Sequence, residues 1–208
     1  MGDLDTLRIF GSKLQGHPHR EFLPCLETSS GPLGSGLSQT VGMALADRID
    51  HGRNSSIFFY CLTGDGELNE GQNWEAMMLA GKERLQNVIA IVDRNNIQID
   101  GYTEDVMPLD SLRKKIESFQ WHVIEIDGHN IEAFVDAVDE AKAIFEKPTC
   151  ILAHTIPGKG VEFMERDPRW HGVPPGKGPE DHVSSSEQAS IALKELRTLQ
   201  GQIESEHQ

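Results

Sequence analysis

The chain has 208 residues, with 19 Lys and Arg against 33 Asp and Glu, a formal net charge of −14. That balance excludes a general nucleic-acid binder and a protein held to an anionic membrane by charge; no apolar run is long enough to span a bilayer, and no signal-peptide pattern opens the sequence. The length suits one sizeable core, and three scattered cysteines, Cys25, Cys61 and Cys150, without a CxxC pair point to a reduced, cytoplasmic protein.

The first helix is expected over Gly36–Gly52, where Leu37, Val41, Ala44, Leu45 and Ile49 follow a 3.6-residue period and Gly52 supplies a stop. Ile57–Thr63 is an apolar run of strand length, followed at once by Gly64-Asp65-Gly66. Glu70–Leu85 is expected to be helical, with Trp74, Met77, Met78 and Leu85 inward, and Val88–Asp93 to be a second strand. The alternation continues with a helix at Ser111–Phe119, a strand at Trp121–Asp127 and a helix at Ile131–Lys147 that turns Ile131, Phe134, Val135, Val138 and Phe145 inward. Pro148 stops that helix, and Thr149–Thr155 forms the last strand. Strands apolar on both sides, alternating with helices, specify an α/β fold: a mostly parallel sheet with helices on both faces. Residues 158–185 are expected to form a long loop, closing a domain over 1–185, with a separate helix over 186–208.

In open parallel sheets, ligands bind beyond the carboxyl ends of the strands. Asp65 follows one strand there, Asn95 and Asn96 follow the next, and His171 lies in the long loop. Glycines on either side of Asp65 permit close approach of an anion, yet the carboxylate repels a bare phosphate. A divalent cation between Asp65 and a diphosphate resolves the conflict, because Mg²⁺ takes a few protein oxygens together with phosphate oxygens. Each string alone is ordinary turn chemistry; their spacing, one helix and one strand apart, singles them out.

Gly64-Asp65-Gly66-Glu67 followed by Asn95-Asn96 resembles the thiamine diphosphate fingerprint. Gly16-His17-Pro18, Ser30-Gly31-Pro32-Leu33-Gly34, Asn95-Asn96-Ile97-Gln98-Ile99-Asp100-Gly101, Gly158-Lys159-Gly160-Val161 and Trp170-His171-Gly172 extend the likeness. Together they span roughly residues 5 to 173 and resemble transketolases, most nearly the separately encoded N-terminal subunit of split members. The resemblance implies the diphosphate-binding domain of a thiamine diphosphate fold, with Asp65, Asn95 and the Ile97 carbonyl as ligands to Mg²⁺ or to Ca²⁺ or Mn²⁺ in its place. It further implies that the Gly66 N–H faces the diphosphate and that Gly31, Pro32 and Leu33 approach the aminopyrimidine and thiazolium. His171 is implied to contact diphosphate and substrate, His17 the donor ketose, and Glu70, a buried acid, to link the two cofactor-binding halves. The implied reaction moves a two-carbon ketol unit from a ketose phosphate to an aldose phosphate.

Two departures stand out. Only one Gly-His-Pro is present, aligned with the later of the family's histidine motifs, so the first elements of the fold and their histidines are expected to be missing. Val173-Pro174-Pro175-Gly176-Lys177-Gly178 also replaces the family's usual continuation. The resemblance implies a separately encoded pyrimidine-binding subunit in a hetero-oligomer, and a chain inert by itself. Other readings are a deoxyxylulose phosphate synthase-like or 2-oxoacid dehydrogenase-like subunit, favoured less by Glu70 and by Trp170-His171-Gly172, and a truncated, non-catalytic binding module.

Overall fold

The computed structural model describes the backbone of residues 3–53 and 55–206, and side chains as far as residue 196. Its centre is a four-stranded sheet of β1 (Phe59–Gly64), β2 (Val88–Arg94), β5 (His122–Asp127) and β6 (Thr149–His154). The spatial order is β1-β2-β6-β5, and all three pairings are parallel. A short antiparallel hairpin, β3 (Ile97–Gln98) and β4 (Gly101–Tyr102), follows β2 directly.

Strand alternation splits the core in two. On one face Cys61, Val88, Ala90, Val92, Val123, Cys150 and Leu152 pack against α1 (Ser35–His51), α2 (Gly71–Glu83) and α4 (Leu112–Ser118). On the other, Ile89 and Ile151 meet Ala137 and Ala141 of α5 (Ile131–Ala143). The expected parallel sheet with helices on both faces is therefore present. The α5 face is incomplete: α5 lies over β5 and β6, so Tyr60 and Leu62 on the edge strand β1 are exposed.

Close approach between α2 and the entry to β5 anchors the larger core. Trp121 is buried and its Nε1 donates to the Met77 carbonyl at 2.9 Å. Gly81 is required there, since a Cβ would lie 1.9 Å from the Phe119 carbonyl oxygen. Beside it, the Trp74 and Phe119 rings stand 5.9 Å apart.

Several boundaries differ from expectation. Strand β1 begins at Phe59 rather than Ile57, and α5 ends at Ala143 because Ile144 turns extended. Phe145, expected inward, lies beyond that end and is exposed, as are Ile131 and Val135; the helix buries its small-residue face instead. Ile49 and Met78 also point outward, each on the side of its helix away from the sheet. The hairpin β3–β4 and the one-turn helix α3 (Thr103–Val106) have too short a pattern for periodicity to reveal.

The segment at 158–185 is held by tertiary contacts despite its loop composition. Trp170, in a 3₁₀ turn at Pro168–Trp170, packs on Phe163 and covers Gly178, where a Cβ would fall 2.1 Å from the indole. Buried Gln188, from α6 (Ser185–Glu206), accepts the Gly176 N–H at 2.8 Å and donates to the Pro179 and Val183 carbonyls. Residues 3–33 contribute only the 3₁₀ turn Leu4–Thr6 and no strand.

Candidate functional site

Asp65 closes β1 and caps a 3₁₀ turn at Gly66–Asn69. It is 1% exposed, and its carboxylate is nearly saturated by its own chain. Oδ1 accepts the Gly66 N–H at 2.7 Å; Oδ2 accepts the Asn96 N–H at 2.8 Å and Arg94 Nη1 at 3.0 Å. Burial pushes the Asp65 carboxyl above its ordinary range, opposed by the Asn96 amide, the Arg94 charge and the Gly66 amide. One lone pair of Oδ1 is left for a further partner.

The end of β2 lies beside it, since Gly64 pairs with Asp93 in the sheet register. Asn95 Oδ1 accepts the Ile97 N–H at 3.0 Å, and its Nδ2 donates to Asp93 Oδ2 at 2.8 Å. Thr155, after β6, donates its hydroxyl to Asp93 Oδ1. Asn96 carries the tight turn in left-handed backbone, φ 63°. Asp65, Gly66, Asn95 and Ile97 are thus brought together by two adjacent strand ends.

Gly66 has a further reason to lack a side chain. A Cβ there would sit 2.8 Å from Gln98 Oε1, so glycine is what lets Gln98 pack directly on the Gly66 backbone, and the Gly66 N–H, expected to face a diphosphate, is turned to Asp65 Oδ1 in this structure. Gln98 Nε2 is buried without a hydrogen-bond partner among the described residues. An orphaned donor beside a bare glycine and a set of hard oxygens fits an anion bridged by an oxygen-loving cation. Among the described residues no three His, Cys, Asp or Glu side chains form a metal cluster; a set of one Asp, one Asn amide and one backbone carbonyl contains only one such side chain.

A second group forms around the start of α1. Gly31 has φ 121°, and a Cβ on it would fall 2.8 Å from His17 Cγ, so the His17 ring lies on Gly31. Gly34, φ 81°, is likewise pressed against the stem of Glu70, where a Cβ would fall 2.7 Å from the Glu70 Cβ. Leu33 is exposed, and its carbonyl accepts Gln72 Nε2 at 3.1 Å. Glu67 joins the two groups: Oε1 accepts the Gly34 N–H at 2.6 Å and Oε2 the Gly64 N–H at 3.1 Å. The positive end of α1 therefore already has an internal carboxylate.

Not every predicted residue lies as expected. Glu70 is exposed in this chain rather than buried, because nothing among the described residues covers the start of α2 on that side. His171 is exposed where it leaves the Pro168–Trp170 turn, which packs on β4 and so brings the loop to the site's hairpin. Arg94, Glu67 and Gln98 were not singled out by sequence reasoning. The unusual cation within Asp93-Arg94-Asn95 was the one signal for Arg94.

Residues 1–189 match a family model described as transketolase, thiamine diphosphate binding domain. The chain is 47% identical over 162 residues to a 6-deoxy-6-sulfo-D-fructose transketolase subunit of a Clostridium species, covering 78% of this chain and 58% of that one. It is 42% identical over 180 residues to an apulose-4-phosphate transketolase subunit of Phocaeicola vulgatus, covering 86% and 63%. The crystal structure of transketolase from Campylobacter jejuni superposes with a TM-score of 0.76 at 32% identity, over 93% of this chain and 32% of that one. The chain thus spans less than two thirds of the length of these subunit relatives.

Proposed function

The chain belongs to the transketolase family, in its thiamine diphosphate-binding domain, and from that premise we propose that it is the diphosphate-binding subunit of a two-chain transketolase. The observation that carries this reading is buried Asp65 beside Asn95 and Ile97 at two neighbouring strand ends, with Gln98 and its unpartnered Nε2 packed on the bare Gly66 backbone next to them. Asp65 Oδ1, Asn95 Oδ1 and the Ile97 carbonyl would hold Mg²⁺, or Ca²⁺ or Mn²⁺ in its place. Gly66 and Gln98 would face the diphosphate.

When bound, thiamine diphosphate supplies the electron sink for breaking and forming the bond to a two-carbon ketol unit. The chain's own residues would bind and orient. His171, exposed in the long loop, and His17, on Gly31, would hold hydroxyls and move protons on a ketose phosphate donor and an aldose phosphate acceptor. Gly31, Pro32 and Leu33 would line the approach to the ring end of the cofactor. Exposed Glu70 is the group left for a partner to cover, which supports a separately encoded pyrimidine-binding subunit in a hetero-oligomer. The free cysteines agree with a cytoplasmic location.

The test is a coupled assay of the chain with Mg²⁺, thiamine diphosphate, a ketose phosphate and an aldose phosphate, with and without a candidate partner chain. Ketol transfer is expected only with the partner present, and loss of transfer on Asp65→Ala. Transfer by the chain alone, or transfer indifferent to Asp65→Ala, would overturn the reading.

A further inference from the structure

Arg94 is 8% exposed, at the last position of β2, and touches two carboxylates at once. Nη1 donates to Asp65 Oδ2 at 3.0 Å, and Nη2 donates to Glu104 Oε1 in α3. Glu104 in turn accepts the Leu109 N–H at 3.1 Å and the Asp110 N–H at 3.3 Å. Met107, in the same stretch, returns to the site by accepting Asn69 Nδ2 at 3.3 Å, and Asn69 ends the 3₁₀ turn that Asp65 caps. Asp65, Arg94, Glu104, the 107–110 segment and the Gly66–Asn69 turn therefore form a closed ring.

We propose that Arg94, held by Glu104, is a positioning residue for the cation-binding carboxylate. Arg94 fills Oδ2 together with the Asn96 amide, so Oδ1 is the only oxygen of Asp65 with room for a cation, and the carboxylate plane is fixed before the cation arrives. A guanidinium this close also repels a cation. Glu104 offsets that charge and holds the second guanidinium nitrogen in place. Partners that hold a ligating carboxylate in place are typically worth about 10- to 100-fold in metal affinity, and positioning is inferred to outweigh repulsion here. The ring also ties cofactor loading to the order of residues 107–110.

The inference rests on the reading of Asp65 as a cation ligand, and the experiment separates the two. The full chain, together with the candidate partner chain, is titrated calorimetrically with thiamine diphosphate at fixed Mg²⁺, and amide exchange at Leu109 and Asp110 is followed with and without both ligands. The expected result is about 10- to 100-fold weaker binding in Arg94→Met, partial recovery in Arg94→Lys, which can reach one carboxylate but not both, and a smaller loss in Glu104→Gln. Glu104→Gln keeps an oxygen to accept the Leu109 amide and guards against misfolding of the first variant. Loading should slow exchange at Leu109 and Asp110 in the parent chain and no longer do so in Arg94→Met. If Arg94→Met and Glu104→Gln bind as tightly as the parent or more tightly while Asp65→Ala fails to bind, the positioning role is overturned and the cation site stands. If the parent chain does not bind even with the partner chain present, or Asp65→Ala binds unchanged, both fall together.

Discussion

Residues 3–33 and residues 59–116 contribute opposite halves of the same candidate site and are built in opposite ways. From residue 3 to residue 33 no residue is buried, and Leu4, Leu7, Ile9, Phe10 and Phe22 are open to solvent. That stretch is tied together by backbone and hydroxyl bonds, such as Ser30 N–H to the Pro18 carbonyl at 3.1 Å and Arg20 N–H to Ser29 Oγ at 3.0 Å. Between 59 and 116, by contrast, the strand ends sit on a packed sheet, and Asp65 is fixed on both oxygens. The half of the site holding Asp65 and Asn95 is preformed by this chain's own core. The half holding His17, Gly31 and Leu33 has no core of its own and is held by local hydrogen bonds and by the Gln72 bond from α2.

The largest expected effect sharpens this contrast through the core. Trp121→Ala removes a buried indole and its bond to Met77, and a loss of about 3–5 kcal/mol is expected in urea denaturation. Phe10→Ala, in the coreless half, should stay within about 0.5 kcal/mol of the parent. Equal losses in the two variants would erase the distinction.

Glu67, together with Gln72 at the Leu33 carbonyl, links the two regions at Gly34, and its removal has an intermediate effect. Glu67→Ala strips the acceptor from the Gly34 and Gly64 amides, which should cost about 1–3 kcal/mol. The decisive readout is amide exchange: faster at Gly34 and Gly64, unchanged at Val92. Uniform acceleration across β2 would mean that Glu67 stabilises the fold as a whole and does not join two differently built regions.

The smallest effect concerns the sheet margin at β5. The His154 imidazole, 2.9 Å from Glu125, holds the Glu125 carboxyl below its ordinary range against the opposing effect of desolvation, and Arg113 adds to the lowering. As the folded value lies under the unfolded one, the unfolded chain takes up this proton first as pH falls. The contribution is complete above about pH 4.3, the ordinary Glu value, and is lost as pH drops through the folded value. Glu125→Gln should flatten the acid limb of stability against pH by a small amount, because the group is partly exposed. An unchanged acid limb would remove Glu125 as a source of that slope.

Much of this was readable before any coordinates. Unbroken apolar runs such as Val88–Val92 and Thr149–Leu152 become central strands because only a strand covered on both faces tolerates them. Gly64-Asp65-Gly66 and Asn95-Asn96 had to lie at strand ends because each follows such a run immediately. The inward face of α5 was misread: Ile131 and Phe145 are hydrophobic, but a helix crossing closely over β5 and β6 needs Ala137 and Ala141 at the contact. The exposure of Glu70 was equally illegible, since it depends on which elements of the fold leave the start of α2 uncovered.

The amino-acid sequence by itself determined the α/β alternation, the strand-end position of Asp65 and Asn95, and the family. These follow from local periodicity and from residues a few positions apart. Only the tertiary structure decided that β6 lies between β2 and β5, that Glu67 reaches Gly34, and that Arg94 joins Asp65 to Glu104. Those contacts pair residues far apart in the chain or on different elements. Which charge faces which carboxylate is then set by how strands and turns meet in space, a relation that no local pattern encodes.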